Sequence, residues 1–487
     1  MITMRESKKF AFDVSITFIA SIISTILGFC ITIILGRYLG ADSLGLYRMS
    51  STVLWMLKLA AAIGIPAAIV KYVAEVKDDR SQLSEVVSSG LITSLISGIG
   101  FVGIFYFLSP LFAHLFKMPE LSSLLKIVAL VFPFTLVGGI LLAMFNGLRY
   151  MKIHSVAMVF HSVLLILFTV VFFMYGFGVR GAVAAIVISA AGDCALLLWF
   201  SRHVFALTLR NYWDTTKKLI TFGFQIFGAT IINQINYQAD TVLIGYFLTA
   251  ADVGQYAVAV GLSRFFWLIP NAIQTVTYPA TSEYWTKNNQ KVLQKIIDKS
   301  MKYSTCILLP IGIMVGVFAS DVISFIFGDG FSDAILPLRI LIVGTVIQGS
   351  TIRAIGSSLA GVGRPDISLK LVLVSATTNI VLNVLLIPHY GIIGAAFTTT
   401  CSLLLNTLLG LFFIVKILEV KIDYLWNGKM AGITIIMMVL MYLGWHVFFW
   451  KLLIMGGYVL AIYTILLTRE DRTYFTELIK DVIFYMR

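Results

Sequence analysis

The sequence is short of charge. Asp, Glu, Lys and Arg make up 12% of its 487 residues, where a soluble domain carries about 25%. That shortage excludes a cytosolic enzyme of ordinary composition. Cysteine is scarce as well: Cys30, Cys194, Cys306 and Cys401 each lie inside an apolar run with no paired spacing, so neither a disulfide framework nor a zinc site is indicated. Acidic residues are the rarer sign, 24 against 36 basic, for a formal charge of +12. Phosphate-binding GxxxxGK[ST] and nucleophile GxSxG patterns are missing, which argues against an ATP-driven pump and against a serine hydrolase. The connections expected outside a membrane are too short for an external catalytic domain.

Apolar length is what the chain has: 59% of its residues are hydrophobic and its mean hydropathy is +0.94. A membrane-crossing helix needs about 20 apolar residues. The charge-free windows predict an all-α polytopic membrane protein with fourteen crossings. These run at about 11–35, 46–73, 86–108, 122–146, 155–177, 180–201, 219–246, 253–280, 303–327, 335–360, 370–388, 392–415, 429–447 and 450–468. The uncharged stretch that follows Lys8 and Lys9 is too long for a cleaved leader and reads as the first crossing. With the N-terminus inside, 26 of the 36 basic residues fall in cytoplasmic connections and five outside, which predicts both termini in the cytoplasm. The surplus charge therefore reports loops beside anionic lipid, not nucleic acid.

Two inside segments have the pattern of surface helices. Lys287, Lys291, Lys295 and Lys299 recur every four residues with Val292, Leu293, Ile296 and Ile297 between them, a basic amphipathic helix suited either to the cytoplasmic leaflet or to a solvated linker. In the tail, Phe475, Leu478, Ile479, Val482 and Met486 also stand at helical spacing.

The chain repeats itself. GRYLGADSLGLY (Gly36 to Tyr47) and GYFLTAADVGQY (Gly245 to Tyr256) share five of twelve residues at an offset of 209, and GVRGA from Gly178 returns as GIIGA from Gly391 at an offset of 213. The expected organisation is two six-helix repeats, an N-lobe at 1–210 and a C-lobe at 211–420, then two added crossings at 421–468 and an amphipathic tail at 469–487. Six is even, so both lobes point the same way across the membrane, a transporter plan with its site between the lobes.

Charges inside the bilayer are the candidate site, because a central Lys or Arg costs about 2.5–3.5 kcal/mol to insert. Lys58 is mid-way along the second crossing and Arg264 along the eighth. At the 209 offset Arg264 maps to position 55, one turn from Lys58. Asp240 sits in an unusually polar seventh crossing with Asn233, Gln234, Asn236 and Gln238; it suits either a cavity wall or a structural pair with Arg264 or Lys58. Arg353, Arg37 and Arg48 are candidate anion contacts, the last two equally suited to snorkelling. Asp13 and Asp193 are candidate coupling-ion groups or structural partners. Asn379, Asn383 and Asn406 suit interhelical hydrogen bonds. His154 and His161 have no metal spacing and are assigned nothing; no cofactor, metal or catalytic residue is expected.

These residues carry a resemblance. GRYLGADSLGLY, GIPAAIVKYVAE (Gly64 to Glu75), QADTVLIGYFLTAADVGQY, SSLAGVGRPDIS (Ser357 to Ser368) and NIVLNVLLIPHYGIIGAAFTTT (Asn379 to Thr400) occur in an order that resembles the polysaccharide-transporter flippases. These belong to the multidrug/oligosaccharidyl-lipid/polysaccharide exporter superfamily and are related to the lipid II flippases. The resemblance runs from about residue 10 to 470. It implies a non-enzymatic flippase in the plasma membrane, moving an isoprenoid-(pyro)phosphate-linked oligosaccharide to the outer leaflet for cell-surface polysaccharide or glycoprotein assembly. By the same resemblance Lys58 and Arg264 hold the pyrophosphate. Membrane lipids and glycan-assembly enzymes are the other implied partners. The alternative is a cation-coupled drug or small-molecule antiporter of the same superfamily; a membrane glycosyltransferase or polymerase is a weaker third, since the outside turns hold only scattered Asp residues.

Overall fold

The structure, a computed structural model, describes residues 4–443, 448–468 and 471–472, and every regular element among them is helical. Ten helices are long and apolar enough to cross a membrane. They become eleven when Pro119–Ala129 and Phe132–Gly147, bent by 49°, are taken as one. The chain is a multi-pass membrane protein. The amphipathic tail expected at 469–487 falls outside the described residues apart from Asp471 and Arg472.

Two helices run longer than any bilayer, and each is broken where glycine allows it. Met4–Ala62 breaks at Gly40 (φ 79°, ψ 179°) and Pro365–Leu418 at Gly391 (φ 60°, ψ −142°), in conformations that a Cβ would strain. Gly178, the repeat mate of Gly391 in sequence, is also left-handed, with φ 54°. Residues 213 apart thus share a positive φ as well as a residue type.

The chain divides into two compact units that interleave along the sequence. The first gathers Met1–Leu262, Ser320–Leu341 and Val372–Ser402. Its core includes Ile65, Ile69, Val73, Val87, Ile140, Leu141, Met144 and Phe145. In this unit the two copies of the repeated motif touch. A Cβ on Gly45 would fall on the carbonyl oxygen of Ala250, and a Cβ on Gly254 on the carbonyl oxygen of Ala41. Gly45 and Gly254 are mates at offset 209, and so are Ala41 and Ala250. The contact is self-complementary, as a two-fold relation between the copies requires.

The second unit gathers Ser263–Ala319, Ile342–Leu371 and Leu403–Arg487. Here Lys291, Lys295 and Lys299 lie in the first turns of the helix Gln290–Val317, with Asn289 at its N-cap accepting from the Val292 amide. Lys287, expected on the same helix, instead caps the preceding helix Leu268–Thr286 and pairs with Glu283. The apolar face of Gln290–Val317 is covered by protein: Leu293 and Ile297 are buried with Ile352, Ile355, Leu371, Ile414 and Leu418. Neither a leaflet-bound nor a solvated linker helix describes it. Periodicity marks an apolar face and does not say what covers it.

The same helix is clasped from the far end of the chain. Lys302 Nζ donates to Asp471 Oδ2 at 2.5 Å, Tyr303 Oη to Oδ1 at 3.0 Å, and Thr468 donates its amide and hydroxyl at 3.0 and 2.6 Å. Burial pushes the Asp471 carboxyl up, but these donors outweigh it and leave the group well below the ordinary carboxylate range. With the folded value depressed, the clasp contributes fully above the unfolded value of about 3.9 and is lost only as pH falls through the folded one. Asp471→Asn strands Lys302, so the midpoint of thermal unfolding in detergent is expected to drop by several degrees. Removing one partner of a buried pair costs about 3–5 kcal/mol. An unchanged midpoint removes the clasp from the stability of this unit.

Candidate functional site

Within the first unit a cavity of about 300 Å³ is walled by four helices. Met4–Ala62 supplies Ser24, Trp55 and Lys58; Phe132–Gly147 supplies Phe134, Thr135, Gly138, Gly139 and Leu142. Met151–Met174 supplies Met158, His161 and Ser162, and Gly178–Ser201 supplies Ala190 and Asp193. Trp55 and Lys58, past the Gly40 break, stand three residues apart, and the residues from the other three helices also recur at three or four, the spacing of one helical face. Small residues open the space: a Cβ added to Gly139 would meet nothing within 4 Å.

Lys58 is half-buried in this wall. Its ammonium lies 5.3 Å from the Trp55 ring centroid, a cation–π arrangement, and donates no hydrogen bond to any described residue. Asp193 attracts it electrostatically, yet the two form no direct ion pair. Asp193 Oδ1 is buried without a hydrogen-bond partner. His161 lines the same cavity and stands within electrostatic reach of the same cation. The wall therefore holds a cation and a carboxylate that sense each other across open space.

A second polar cluster in the same unit surrounds Asp240. Its carboxylate accepts from Thr399 Oγ1 at 2.6 Å, Asn383 Nδ2 at 2.7 Å and Tyr256 Oη at 2.9 Å. Asn383 also donates to Asn379 Oδ1 at 3.1 Å. All these donors are neutral, so the carboxylate is held by hydrogen bonds and not by the Lys or Arg that sequence reasoning offered as a partner. The donors turn their hydrogens toward the carboxylate, so a cation reaching it would have to displace one of them. Asn379 and Asn383 join two helices, as their type and depth suggested.

The other expected residues lie apart from these clusters. Arg37 donates to the carbonyls of Phe325 and Ile326, in the last turn of helix Ala319–Phe327, which is C-terminal capping. Thr52 Oγ1 donates to Gln238 Oε1 at 3.4 Å. Asp13 Oδ2 is buried without a hydrogen-bond partner and lies outside the cavity wall, while Arg48 lies on the helix past the Gly45 contact. The Asn236 side chain, with those of Asn233 and Gln234, falls outside the described residues. In the second unit Arg264 ends the helix Ala250–Arg264. Arg353 donates to Asn271 Oδ1 at 3.1 Å and stacks 4.2 Å from the Trp267 centroid. At offset 209 Lys58 maps to Trp267 and Arg264 to Trp55, so each half sets a tryptophan and a cation three residues apart in opposite order.

His161 lines the cavity as well, and sequence reasoning assigned it nothing. Its signal was weak: His154 and His161 are seven residues apart on one helix face, a spacing that suits no metal.

Residues 34–336, more than half the chain, match the polysaccharide biosynthesis protein family. The chain is 26% identical over 247 residues to the probable low-salt glycan biosynthesis flippase Agl15 of Haloferax volcanii, a match covering 51% of this chain and 52% of Agl15. It thus spans about half the length of that relative. With the stage V sporulation protein B of Bacillus subtilis it shares 24% identity over 440 residues, 83% of each chain. Among solved structures it is similar to the lipid II flippase MurJ in an inward closed conformation. That similarity has a TM-score of 0.75 at 17% identity and covers 95% of this chain and 99% of MurJ; at that identity the likeness establishes the fold.

Proposed function

The chain belongs to the polysaccharide biosynthesis protein family, and on that premise we propose that it is a flippase. Its load is an isoprenoid-(pyro)phosphate-linked oligosaccharide, carried from the cytoplasmic to the outer leaflet of the plasma membrane by alternating access. The observation that carries this reading is Lys58, a cation in a membrane-embedded cavity with no hydrogen-bond acceptor among the described residues. Such a group calls for an anion. Lys58 takes a phosphate oxygen of the load, and Arg264 takes the matching part in the second half of the chain. Lysine holds phosphate as a point charge, without the two-pronged grip of arginine. With the cell interior negative, outward movement of the anionic head group is favoured by about 2.3 kcal/mol per charge per 100 mV.

The topology follows the same reading. Dividing the two overlong helices at Gly40 and Gly391, and adding the polar helix Tyr212–Phe247 to the eleven candidates, makes fourteen crossings with both termini in the cytoplasm. The lobes are 1–210 and 211–420, with 421–468 appended. The reciprocal Gly45 and Gly254 contacts and the positive φ of both Gly178 and Gly391 support the duplication. Enzymes that build and extend the glycan supply and consume the load.

Asp240 is the coupling group in this reading. Asp240→Asn is expected to lower translocation in energised vesicles by roughly tenfold, equivalent to about 1.4 kcal/mol of lost drive, and to flatten its response to sodium and proton gradients. An unchanged gradient response makes Asp240 a structural tie.

A drug antiporter on the same fold wants a carboxylate-dominated cavity, whereas here a lysine shares the wall with a single carboxylate. Inverted vesicles bearing the protein are expected to take up ethidium no faster than vesicles without it. Protein-dependent, gradient-driven ethidium uptake would sink the flippase reading in favour of the antiporter.

A further inference from the structure

Lys58 and Asp193 make an unusual pair. They come from helices far apart in sequence, line one cavity of about 300 Å³ and attract each other. They do not touch. Asp193 Oδ1 is buried with no donor, and Lys58, which has the Trp55 ring against it, finds no hydrogen-bond acceptor among the described residues. A structural ion pair inside a protein closes to contact, because desolvation is repaid only by short, well-aligned hydrogen bonds. Open space between two under-satisfied opposite charges is instead where a third ion fits. His161 stands at the same wall, and Asp193 is the one carboxylate among the residues that line it.

We propose that Asp193 is the resident counter-ion of Lys58, and that the phosphate of the load displaces it. The cation changes partners in each cycle: Asp193 neutralises it while the cavity is empty, and the phosphate does so while the cavity is loaded. Asp193 is then a positioning residue that sets how tightly the load is held and how readily it is released. A carboxylate beside the bound phosphate weakens the grip, and its return to Lys58 expels the load on the outer side. The inference rests on the reading of Lys58 as the phosphate contact.

The full-length protein in detergent, titrated calorimetrically with geranyl pyrophosphate, tests this together with a translocation assay in vesicles. Asp193→Asn is expected to bind the probe about tenfold more tightly than the unaltered protein while translocating more slowly, a split between affinity and turnover that a structural role would not produce. Asp193→Glu, which keeps the charge, is expected to stay within about twofold of the unaltered protein in both measurements. Weaker or equal binding by Asp193→Asn, with binding still dependent on Lys58, overturns the partner exchange and leaves the phosphate reading standing. Binding that is absent, or indifferent to Lys58→Ala, overturns both. If Asp193→Asn does not fold, Asp193→Glu decides alone, since glutamate moved one methylene closer to Lys58 must weaken probe binding or leave it unchanged; tighter binding there contradicts the proposal.

Discussion

Lys58→Ala is expected to reduce head-group translocation at least about thirtyfold. Truncating one partner of a buried, charge-assisted contact costs about 2–5 kcal/mol, and about 1.4 kcal/mol is a factor of ten. The loss should fall on transport more than on folding, because Lys58 donates no hydrogen bond to any described residue. Some destabilisation will follow from Asp193, left without the cation that attracts it, and Lys58→Ala/Asp193→Asn is expected to recover that stability without recovering transport. Lys58→Arg keeps the charge and adds a second donor for phosphate, so it should retain most of the activity. Head-group exposure in vesicles, with the unfolding midpoint of each variant measured in detergent, separates the two effects.

Gly45→Ala and Gly254→Ala form the second large test, and their effects should be equal. A methyl on Gly45 would meet the Ala250 carbonyl carbon at 2.6 Å, and one on Gly254 the Ala41 carbonyl carbon at 2.9 Å. Both distances are below any ordinary carbon contact, and the obstacle is backbone, which cannot rotate aside. Overpacking of this kind costs about 1–3 kcal/mol. Each variant should therefore lose stability and, if the seam must close in the transport cycle, most of its activity. Gly28→Ala serves as the control: a Cβ there meets nothing within 4 Å, and alanine is the better helix former by about 1 kcal/mol. A stable, active Gly254→Ala protein would mean that the two repeats do not depend on this contact.

Residues at the seam show what a single sequence can carry. The matching motifs were legible because Gly45 and Gly254 stand at a constant offset, and those positions are points of contact in the structure. Lys58 was legible because charge in a bilayer is costly enough to need a reason. Its relation to Asp193 was not, since nothing in a linear pattern says which helices face each other. Asp240 stood out by the polarity around it, but Tyr256, Thr399 and Asn383 come from other segments, and no local signal ties them to it. Arg37 looked like an anion contact and spends its guanidinium on helix carbonyls, an ordinary use that periodicity cannot distinguish. The lysine-rich segment suited either a leaflet or a solvated linker by its pattern, and its apolar face is covered by Ile352, Ile355 and Leu418.

The most direct test is translocation by the purified protein reconstituted in lipid vesicles carrying a short-chain isoprenyl pyrophosphate linked to a disaccharide. An external glycosidase reports sugar reaching the far leaflet. The sugar is expected to become accessible only in vesicles that contain the protein, faster when the potential favours the anion's movement, and to stay protected with Lys58→Ala. Sugar that remains protected with the unaltered protein, or that crosses as fast with Lys58→Ala, would contradict the assignment of this chain as a flippase that grips its load through Lys58.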